Sequence, residues 1–545
     1  MMCGRKRLWQ AAMLIMLTTC ECLPRRSALS EEHARTSVKS AGKRPNIVLI
    51  MTDDMGYSDL GCFGGEIRTP NLDRLATKGL RFTNFYSENM CWVSRAALLT
   101  GIYHRTSMVD NGLHARCVTL PEVLKQRGYQ TRMSGKWHLA GKKDATYPMD
   151  RGFQNFYGIL GGAASFYAPH SLSRNRQNVE HEAHNDPDYY LTDAISDEAA
   201  NMIEGLNTDD PVFLYVAYTA AHWPLHAPEN DVADYKGHFR EGWDVLREKR
   251  LARMKKIGIL SGSLPTSPRH PNVTAWKEIT NRAWQERRME VYAAQVSMMD
   301  RGVGQIVEAL RQSGRLNNTL ILFTIDNGGC HVEYRQDRKG RYLPQTTRDG
   351  RKVRPGNLPE IMPGPEDTYQ SYGHGWANLS NTPYRLFKQY DHEGGIRTPM
   401  IAHWPAGIKD NGRLVKSVNH LIDIMPTVLD VTDSQAPARL NGHPTVSRDG
   451  ESLAVAFKGS SYQGHRTLFF QHNKGRALRH DGWKLVSRSD AGTKSRIRPQ
   501  WELYNLNNDP LELSNLAGEN PEQVKKLSKL WSEESGRLES QAAKR

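Results

Sequence analysis

The sequence has few cysteines, no long apolar run and no internal repeats, and each absence narrows the class of protein. Only 7 of its 545 residues are cysteines, and three of these lie in the first 22 positions. The remaining four are too few for a disulfide scaffold, and if one of them is chemically modified they allow at most one disulfide. No uninterrupted stretch of roughly 18 apolar residues occurs, so no transmembrane helix is predicted.

Composition and charge indicate a globular, moderately basic protein. Hydrophobic residues make up 38% of the chain and charged residues 24%, as in ordinary globular proteins. The formal net charge is +14, but residues 1–44 hold nine basic and three acidic residues, so the rest of the chain carries +8. Such a charge suits an anionic substrate. Neither zinc-finger spacing nor basic stretches interleaved with aromatic residues occur, so nucleic-acid binding is not predicted.

The N-terminus has the features of an export signal. A basic triplet at positions 5–7 precedes the apolar segment Leu8–Leu17, which is too short to span a bilayer. We therefore predict a signal peptide over residues 1–28, a flexible leader over 29–44, and an exported protein that is periplasmic or secreted. The sequence Leu-Thr-Thr-Cys ending at Cys20 loosely resembles a lipoprotein processing site, so lipid anchoring is an alternative.

Two predicted strands end in residues that carry oxygen donors. Residues 46–52 and 319–325 are continuous apolar runs, typical of strands buried on both faces of a parallel sheet. The residues that follow them are Asp53 and Asp54 after the first run, and Asp326 and Asn327 after the second. Ligands of open α/β sheets bind beyond the carboxyl ends of the strands, and hard oxygen donors suit Ca²⁺ or Mg²⁺. The two runs together predict a divalent metal site, whereas the first alone is also typical of a solvated turn.

The segment from Cys91 to Gly101 (CWVSRAALLTG) places a cysteine and an arginine one helical turn apart. Good helix formers follow, so we predict a helix that begins near Cys91, where free N–H groups and the helix dipole favour an anion. Arg95 adds a permanent positive charge. In isolation, this pattern is more typical of a buried cysteine beside a surface arginine.

Two further segments supply candidate proton-transfer groups. Lys136 and His138 lie two residues apart, and on an extended segment they share one face, which suits an oxyanion and a proton transfer. An ordinary exposed pair is the alternative. His222 follows the predicted strand 212–218 in a proline-rich loop that fixes its position, and His226 is a weaker candidate. A histidine bonded to the backbone is the alternative there.

Taken in order, these segments resemble the motifs of type I (formylglycine-dependent) sulfatases, most closely the bacterial arylsulfatases. Cys91 to Gly101 is similar to C-x-(P or A)-S-R-x-x-L-(L or T)-T-G, with Val93 where proline or alanine is usual. Residues 134–141 resemble the G-K-W-H-L-G element, and the acidic strand ends resemble the family's Asp-Asp and Asp-Asn-Gly. Residues 384–399 resemble K-x-x-x-x-E-G-G-(I or V)-R-x-P and contain Lys388. In the wider family, glycine often follows that lysine.

The resemblance covers about residues 45–515 and implies an alkaline-phosphatase-like α/β fold, a mixed sheet sandwiched by helices. It places a sulfatase catalytic domain at residues 45–439. Short strand patterns from 468 to 506 and a terminal helix predict a smaller C-terminal α+β domain, residues 440–545, with an antiparallel sheet.

The resemblance also implies hydrolysis of a sulfate monoester, with a sulfated small molecule or sulfated carbohydrate as substrate. The implied metal is Ca²⁺, with Mg²⁺ as the alternative, and the implied ligands are Asp53, Asp54, Asp326, Asn327 and the formylglycine made from Cys91. The implied maturation partner is a formylglycine-generating enzyme or an anaerobic sulfatase-maturating enzyme. The implied roles are attack on sulfur by residue 91, assistance to the leaving alcohol by His222 and Lys388, deprotonation of residue 91 by His138, and binding of negative groups by Arg95 and Lys136.

Two other functions are compatible with the sequence. The same fold supports phosphodiesterases and phosphonate hydrolases, and a protein with unconverted Cys91 would bind sulfated glycans without cleaving them. Residues 331–370, rich in Arg, Pro and Gly, are predicted to lie over the site and to set substrate selectivity.

Overall fold

The computed structural model describes residues 43–141, 146–338, 340, 342–440, 442–460, 462–473, 475–487 and 500–543. The predicted signal peptide, and the predicted leader up to residue 42, lie outside these residues. In the described part of the chain, no helix combines the length and the apolar character needed to cross a membrane.

The described residues contain strands and helices that alternate over most of the chain. The strands are β1 (Asn46–Thr52), β2 (Leu80–Tyr86), β3 (Met108–Val109), β4 (Gly112–Leu113), β5 (Gln130–Gly135), β6 (Asn155–Ile159), β7 (Leu172–Arg174), β8 (Gln177–Asn178), β9 (Val212–Ala217), β10 (Thr319–Ile325), β11 (Arg354–Pro355), β12 (Thr368–Tyr369), β13 (Arg397–His403), β14 (Leu414–Val415), β15 (Asn419–His420), β16 (Arg439–Leu440), β17 (His443–Pro444), β18 (Thr467–His472), β19 (Gly475–His480), β20 (Trp483–Ser487) and β21 (Trp501–Asn505). The α-helices are α1 (Pro70–Thr77), α2 (Cys91–Thr100), α3 (His104–Ser107), α4 (Leu120–Gln126), α5 (Glu180–Asn185), α6 (Leu191–Glu204), α7 (Glu229–Ala233), α8 (Gly242–Lys256), α9 (Arg282–Gln312), α10 (Gly373–Ser380), α11 (Glu393–Ile396), α12 (Ile424–Val431), α13 (Ala454–Phe457) and α14 (Pro521–Ala543).

A mixed sheet of 11 strands forms the centre of the protein, in the order β14-β2-β13-β10-β1-β9-β5-β6-β7-β8, with β15 also paired to β2. The strands from β10 to β6 in this order are parallel, and β13 and β7 flank them in antiparallel orientation. Thr52 lies opposite Ile325, so β1 and β10 end at the same level. The predicted mixed α/β sheet is therefore confirmed, and its register brings the two acidic strand ends together.

The central strand β1 is apolar throughout because helices cover both faces of the sheet. Ile47, Leu49 and Met51 belong to a core that includes residues of α2, α4 and α12. Val48 and Ile50 point to the opposite face, into a core that includes residues of α6 and α9. All seven residues of β1 are buried. This packing on both faces fixes the position of the strand end that carries the acidic residues.

The predicted C-terminal antiparallel sheet is confirmed, with the order β18-β19-β20-β21. Phe469 on one face packs with Trp531 of α14, at 5.5 Å between ring centroids. Phe470 on the other face lies 6.1 Å from the ring of Tyr86 in β2. The small sheet is thus covered by α14 on one side and by the central part of the protein on the other. The predicted domain border at residue 440 stays a prediction.

A buried ionic cluster also joins the small sheet to the rest of the protein. Lys484 in β20 places Nζ 2.8 Å from Glu393 Oε1 and 2.8 Å from Glu512 Oε1, and all three residues are fully buried. Glu393 Oε2 accepts a hydrogen bond from the Tyr86 hydroxyl at 2.9 Å and lies 3.2 Å from Arg397 Nη1. Because Glu393 begins α11, five residues after Lys388, the cluster holds the segment that carries this lysine.

We predict that Lys484→Met lowers the free energy of unfolding by about 3–5 kcal/mol, because two buried carboxylates lose their shared cation. Urea denaturation followed by fluorescence measures the change. The matched control is Lys529→Met on the exposed face of α14, where the Glu533 partner is 3.9 Å away, and we expect a change within about 0.5 kcal/mol there. Equal effects of the two substitutions would contradict a structural role for the buried cluster.

Candidate active site

Helix α2 begins at Cys91, as predicted, and places this side chain at the edge of the central sheet. Met90 precedes it in extended conformation, with φ −155° and ψ 147°. Cys91 is 3% exposed. The helix ends at Gly101, whose φ of 67° lies in the left-handed region and whose N–H bonds to the carbonyl of Ala97. Buried residues on every turn of α2 pack into the protein core, and this packing fixes the position of Cys91 at the start of the helix.

The acidic ends of β1 and β10 converge beneath Cys91. The backbone N–H of Asp54 donates to Asp326 Oδ1 at 3.2 Å, and Asn327 Nδ2 donates to Asp54 Oδ1 at 2.7 Å. Ligand atoms of Asp53, Cys91 and Asp326 all lie within 4.8 Å of one another. The structure therefore brings together the five residues predicted to bind metal, and their role as ligands stays a prediction.

Three cationic side chains surround these carboxylates. Arg95 Nη2 lies 3.0 Å from Asp326 Oδ2, and Lys136 Nζ donates to Asp53 Oδ2. Arg95 and Lys136 are fully buried, so they contact the acidic residues and do not reach solvent. Lys388 Nζ lies 2.6 Å from Asp54 Oδ1 and 3.7 Å from Cys91 Sγ.

The buried charges shift the pKa values of the acidic residues in opposite directions. Burial, together with the neighbouring Asp53 carboxylate, raises the pKa of Asp326 to about 8. Burial also disfavours charge on Asp53, but Lys136 and the other nearby cations outweigh it and lower the pKa of Asp53. Asp53 therefore carries the negative charge more readily than Asp326 does.

The same cluster leaves buried oxygen atoms without partners. Asp53 Oδ1, Asp54 Oδ2 and Asn327 Oδ1 accept no hydrogen bond from any described residue. Unsatisfied buried acceptors are costly, and three hard oxygen atoms pointing into one cluster fit a divalent cation. The residues present therefore fit a metal ion of the class that the sequence predicts.

His138 and His222 both line a cavity next to this cluster. His222 Nδ1 lies 2.6 Å from the Trp223 carbonyl oxygen and donates to it, which leaves Nε2 3.3 Å from Asp54 Oδ2. Burial lowers the pKa of His222 to about 4. Burial and the nearby Lys136 lower the pKa of His138 well below its usual value. Both imidazoles are therefore neutral at neutral pH.

The predicted extended segment at Lys136 and His138 is wrong in its geometry. Strand β5 ends at Gly135, and His138 has a φ of 56°, in the left-handed region. The chain turns there, so Lys136 points down to Asp53 while His138 lines the cavity. The weaker candidate His226 lies outside the residues that line this cavity and places Nε2 2.7 Å from the Thr368 carbonyl oxygen. Its contact is structural, as the alternative interpretation expected.

The cavity has a volume of about 260 Å³, just below the range of about 300–1,000 Å³ typical of small-molecule sites, so it suits a small group such as one ring. Its walls are formed by Met90, Cys91, Trp92, His138, Gly162, Ala163, His222, Trp223, Cys330, Val332, Arg338, Tyr342, Lys388 and Gln389. Three of these residues come from the segment 331–370. The prediction that this segment lies at the site agrees with that placement, while its effect on selectivity stays a prediction.

Several features of the site were missed or misjudged from sequence. Gly162 lies against His138, since a Cβ atom there would be 2.3 Å from His138 Nε2. The only sequence signal was the Gly-Gly pair after β6. Gly328, which follows the acidic end of β10, packs against the backbone of Gly394, where a Cβ atom would lie 1.9 Å from the carbonyl oxygen. Gln389 has a φ of 77°, which explains why glycine is usual after the lysine.

The four described cysteines are all free, so the disulfide that the count allowed does not form among the described residues. Cys330 lines the same cavity as Cys91. Burial raises the pKa of Cys330, so this thiol stays protonated.

Comparison with known proteins assigns this arrangement to a family. The family model described as Sulfatase matches residues 45–434, and the model described as N-sulphoglucosamine sulphohydrolase, C-terminal, matches residues 384–540. The chain belongs to the sulfatase family. An arylsulfatase of Klebsiella aerogenes is 32% identical to this sulfatase over 453 residues, which is 78% of this chain and 94% of the relative. An uncharacterized sulfatase of Schizosaccharomyces pombe is 31% identical, over 90% of this chain and 94% of the relative.

Solved structures agree with this assignment. The sulfatase resembles Ps i-CgsB, solved in complex with k-i-k-neocarrahexaose, with a TM-score of 0.65 and 25% identity over 92% of this chain and 94% of the other. The predicted alkaline-phosphatase-like fold and hydrolysis of a sulfate ester are therefore confirmed. None of these comparisons favours the phosphodiesterase or the non-catalytic glycan-binding alternative.

We predict that Gly162→Ala lowers kcat/KM for 4-nitrophenyl sulfate by about 100-fold, because the added methyl group displaces the His138 ring and a shift of about 1 Å has effects of that size. The thermal unfolding temperature should stay close to wild type. The control is Gly262→Ala, where no atom lies within 4 Å of the new methyl group. Full activity of the Gly162 variant would contradict the proposed importance of the His138 position.

Proposed function

We propose that this sulfatase uses a formylglycine made from Cys91 to hydrolyse a sulfate monoester of a carbohydrate or aromatic alcohol. The observation that carries this proposal is the setting of the Cys91 side chain, at a helix N-terminus, 3.7 Å from Lys388 Nζ and beside the Asp53 and Asp326 carboxylates. Burial raises the pKa of Cys91 even though Lys136 and Lys388 oppose the shift. An unmodified Cys91 is therefore a weak nucleophile. The resemblance of residues 91–101 to the sulfatase motif supports its conversion by a formylglycine-generating or anaerobic sulfatase-maturating enzyme.

Asp53, Asp54, Asp326 and Asn327, with the converted residue 91, would hold Ca²⁺ or, as the alternative, Mg²⁺. When bound, the cation would supply a Lewis acid for a sulfate oxygen, and the converted side chain would supply a hydroxyl nucleophile. Arg95 binds the Asp326 carboxylate and Lys136 binds the Asp53 carboxylate, and these contacts limit the movement of both carboxylates.

Three residues that line the cavity would then act on the substrate. Lys388 Nζ faces residue 91, so it would stabilise negative charge that develops on the sulfate group and on the leaving oxygen. His222 donates its Nδ1–H to the Trp223 carbonyl group, so Nε2 of the neutral ring carries no proton at rest. Nε2 would first take up a proton from water and then pass it to the leaving alcohol. His138 is neutral and would accept a proton from a hydroxyl group at position 91.

The relatives support both classes of alcohol. The Klebsiella aerogenes relative is named an arylsulfatase, and a relative from Bacteroides thetaiotaomicron, 26% identical over 92% of this chain and 88% of its own length, is named an N-acetylglucosamine-6-O-sulfatase. The indole rings of Trp92 and Trp223 form walls of the cavity and would stack on a sugar or an aromatic ring. The N-terminal sequence supports export to the periplasm or the medium.

We predict that Cys91→Ala reduces turnover of 4-nitrophenyl sulfate by at least about 1,000-fold, since loss of an activated nucleophile has effects of this order or larger. The thermal unfolding temperature should change little. Cys62→Ala, which alters a free cysteine outside the cavity, is the control. Mass spectrometry of the wild-type peptide should show the CH₂SH group of Cys91 converted to an aldehyde, with sulfur and two hydrogen atoms lost and one oxygen atom gained. Active protein with an unmodified thiol would contradict the proposal.

We predict that a chelator abolishes activity and that Ca²⁺ restores it better than Mg²⁺. Ca²⁺ added to the metal-free protein at about 100 times its dissociation constant should also stabilise the folded state by about 2.7 kcal/mol. This stabilisation is measured as a rise in unfolding temperature. Asp54→Asn should lose most of this thermal shift, because it removes a charged ligand. The exposed control Asp337→Asn should keep it. An equal shift in both variants would exclude Asp54 as a ligand.

A further inference from the structure

One cation on the cavity wall takes no part in the buried charge cluster. Arg338 lines the cavity and is exposed to solvent. Its guanidinium carbon lies 4.9 Å from the ring centroid of Trp223 and 5.0 Å from that of Tyr334. Two aromatic rings thus hold the side chain in place, although it belongs to a long loop.

Arg338 has no acidic partner among the described residues. The neighbouring Asp337 is paired with Arg335, whose Nη2 lies 2.7 Å from Asp337 Oδ2. No other carboxylate of the described chain lies within 4 Å of the Arg338 guanidinium. Stacking uses only the faces of the guanidinium plane, so its N–H groups stay available for a ligand.

The position of Arg338 relates it to the alcohol part of the substrate. The Trp223 ring contacts the His222 ring, at 4.3 Å between centroids, as well as Arg338. Arg338 is therefore one side chain removed from the histidine assigned to the leaving oxygen. In the proposed function, Lys388 and the buried cluster beneath Cys91 already stabilise the charge of the reacting sulfate group. A negative group that reaches Arg338 must therefore be a second one, carried by the alcohol.

We propose that Arg338 is a specificity-determining residue that selects substrates whose alcohol carries a second anionic group, either a carboxylate or another sulfo group. This inference rests on the proposed function, because it takes His222 as the group next to the leaving oxygen. The cavity accepts one ring, and the second anion extends from that ring to the guanidinium.

Three aryl sulfates of nearly equal shape test the inference. They are 4-(carbamoylmethyl)phenyl sulfate, which is neutral outside the reacting group, 4-(carboxymethyl)phenyl sulfate and 4-(sulfomethyl)phenyl sulfate. Sulfate release at low ionic strength should give kcat/KM values about fivefold higher for an anionic substrate than for the amide, chiefly through KM, and added salt should reduce the difference. Comparison of the carboxylate with the sulfonate shows which anion is preferred.

Variants of Arg338 distinguish recognition of the second anion from mere support of the Trp223 ring in the cavity wall. Arg338→Gln should abolish the preference and leave kcat/KM for the amide near wild type, while Arg338→Lys should keep part of it. The matched control is Arg335→Gln on the same loop, whose side chain is exposed and paired to Asp337; it should keep the full preference. If Arg338→Gln lowers kcat/KM for all three substrates equally, Arg338 only supports Trp223 and the inference is wrong.

Failure of this inference is distinguishable from failure of the proposed function. A wild-type enzyme that cleaves all three substrates without preference overturns the role of Arg338 and leaves the formylglycine mechanism intact. If protein whose residue 91 is converted cleaves neither these aryl sulfates nor sulfated carbohydrates, the proposed function is overturned, and the inference with it.

Discussion

The structure depends on the balance of charge where β1 and β10 end. Asp53, Asp54 and Asp326 are at most 1% exposed, and burial of three carboxylates without partners would force them to take up protons. The cations that meet them come from α2, from the loop after β5 and from the loop before α11. Each of these segments must reach the same sheet edge for the charges to be compensated. Because Cys91 begins the same helix that carries Arg95, the contacts that compensate the buried carboxylates also fix the position of Cys91.

The C-terminal sheet contributes to that balance from outside the cavity. Lys388 belongs to a loop, and a loop alone would hold a buried ammonium group poorly. The loop runs directly into α11, where Glu393 is bound by Lys484 of β20 and by Arg397 of β13. One end of the segment is thus bound to both sheets, so the small sheet helps to position Lys388 although none of its described residues lines the cavity.

Most of the site could be predicted from sequence because its parts follow from local pattern. A continuous apolar run marks a strand with two covered faces, and parallel strands in register bring their polar ends together. The contact of Gly162 with His138 could not be predicted, because it joins loops after two different strands. Lys484 also gave no signal, since a single lysine in a strand has the pattern of an exposed residue. The shared face assumed for Lys136 and His138 was wrong because the chain turns at His138.

The two kinds of cation at the site explain how chemistry and selectivity are separated. A buried ion such as Arg95 cannot be changed without leaving a carboxylate uncompensated, and such a loss is strongly destabilising. Arg338 is exposed and unpaired, and substitution of such a residue changes stability little. Under the proposed function, the buried layer therefore acts on the sulfate group, which every substrate of the enzyme carries. Under the proposal for Arg338, recognition of the alcohol falls to the exposed wall, where a charge can be gained or lost with little effect on the fold.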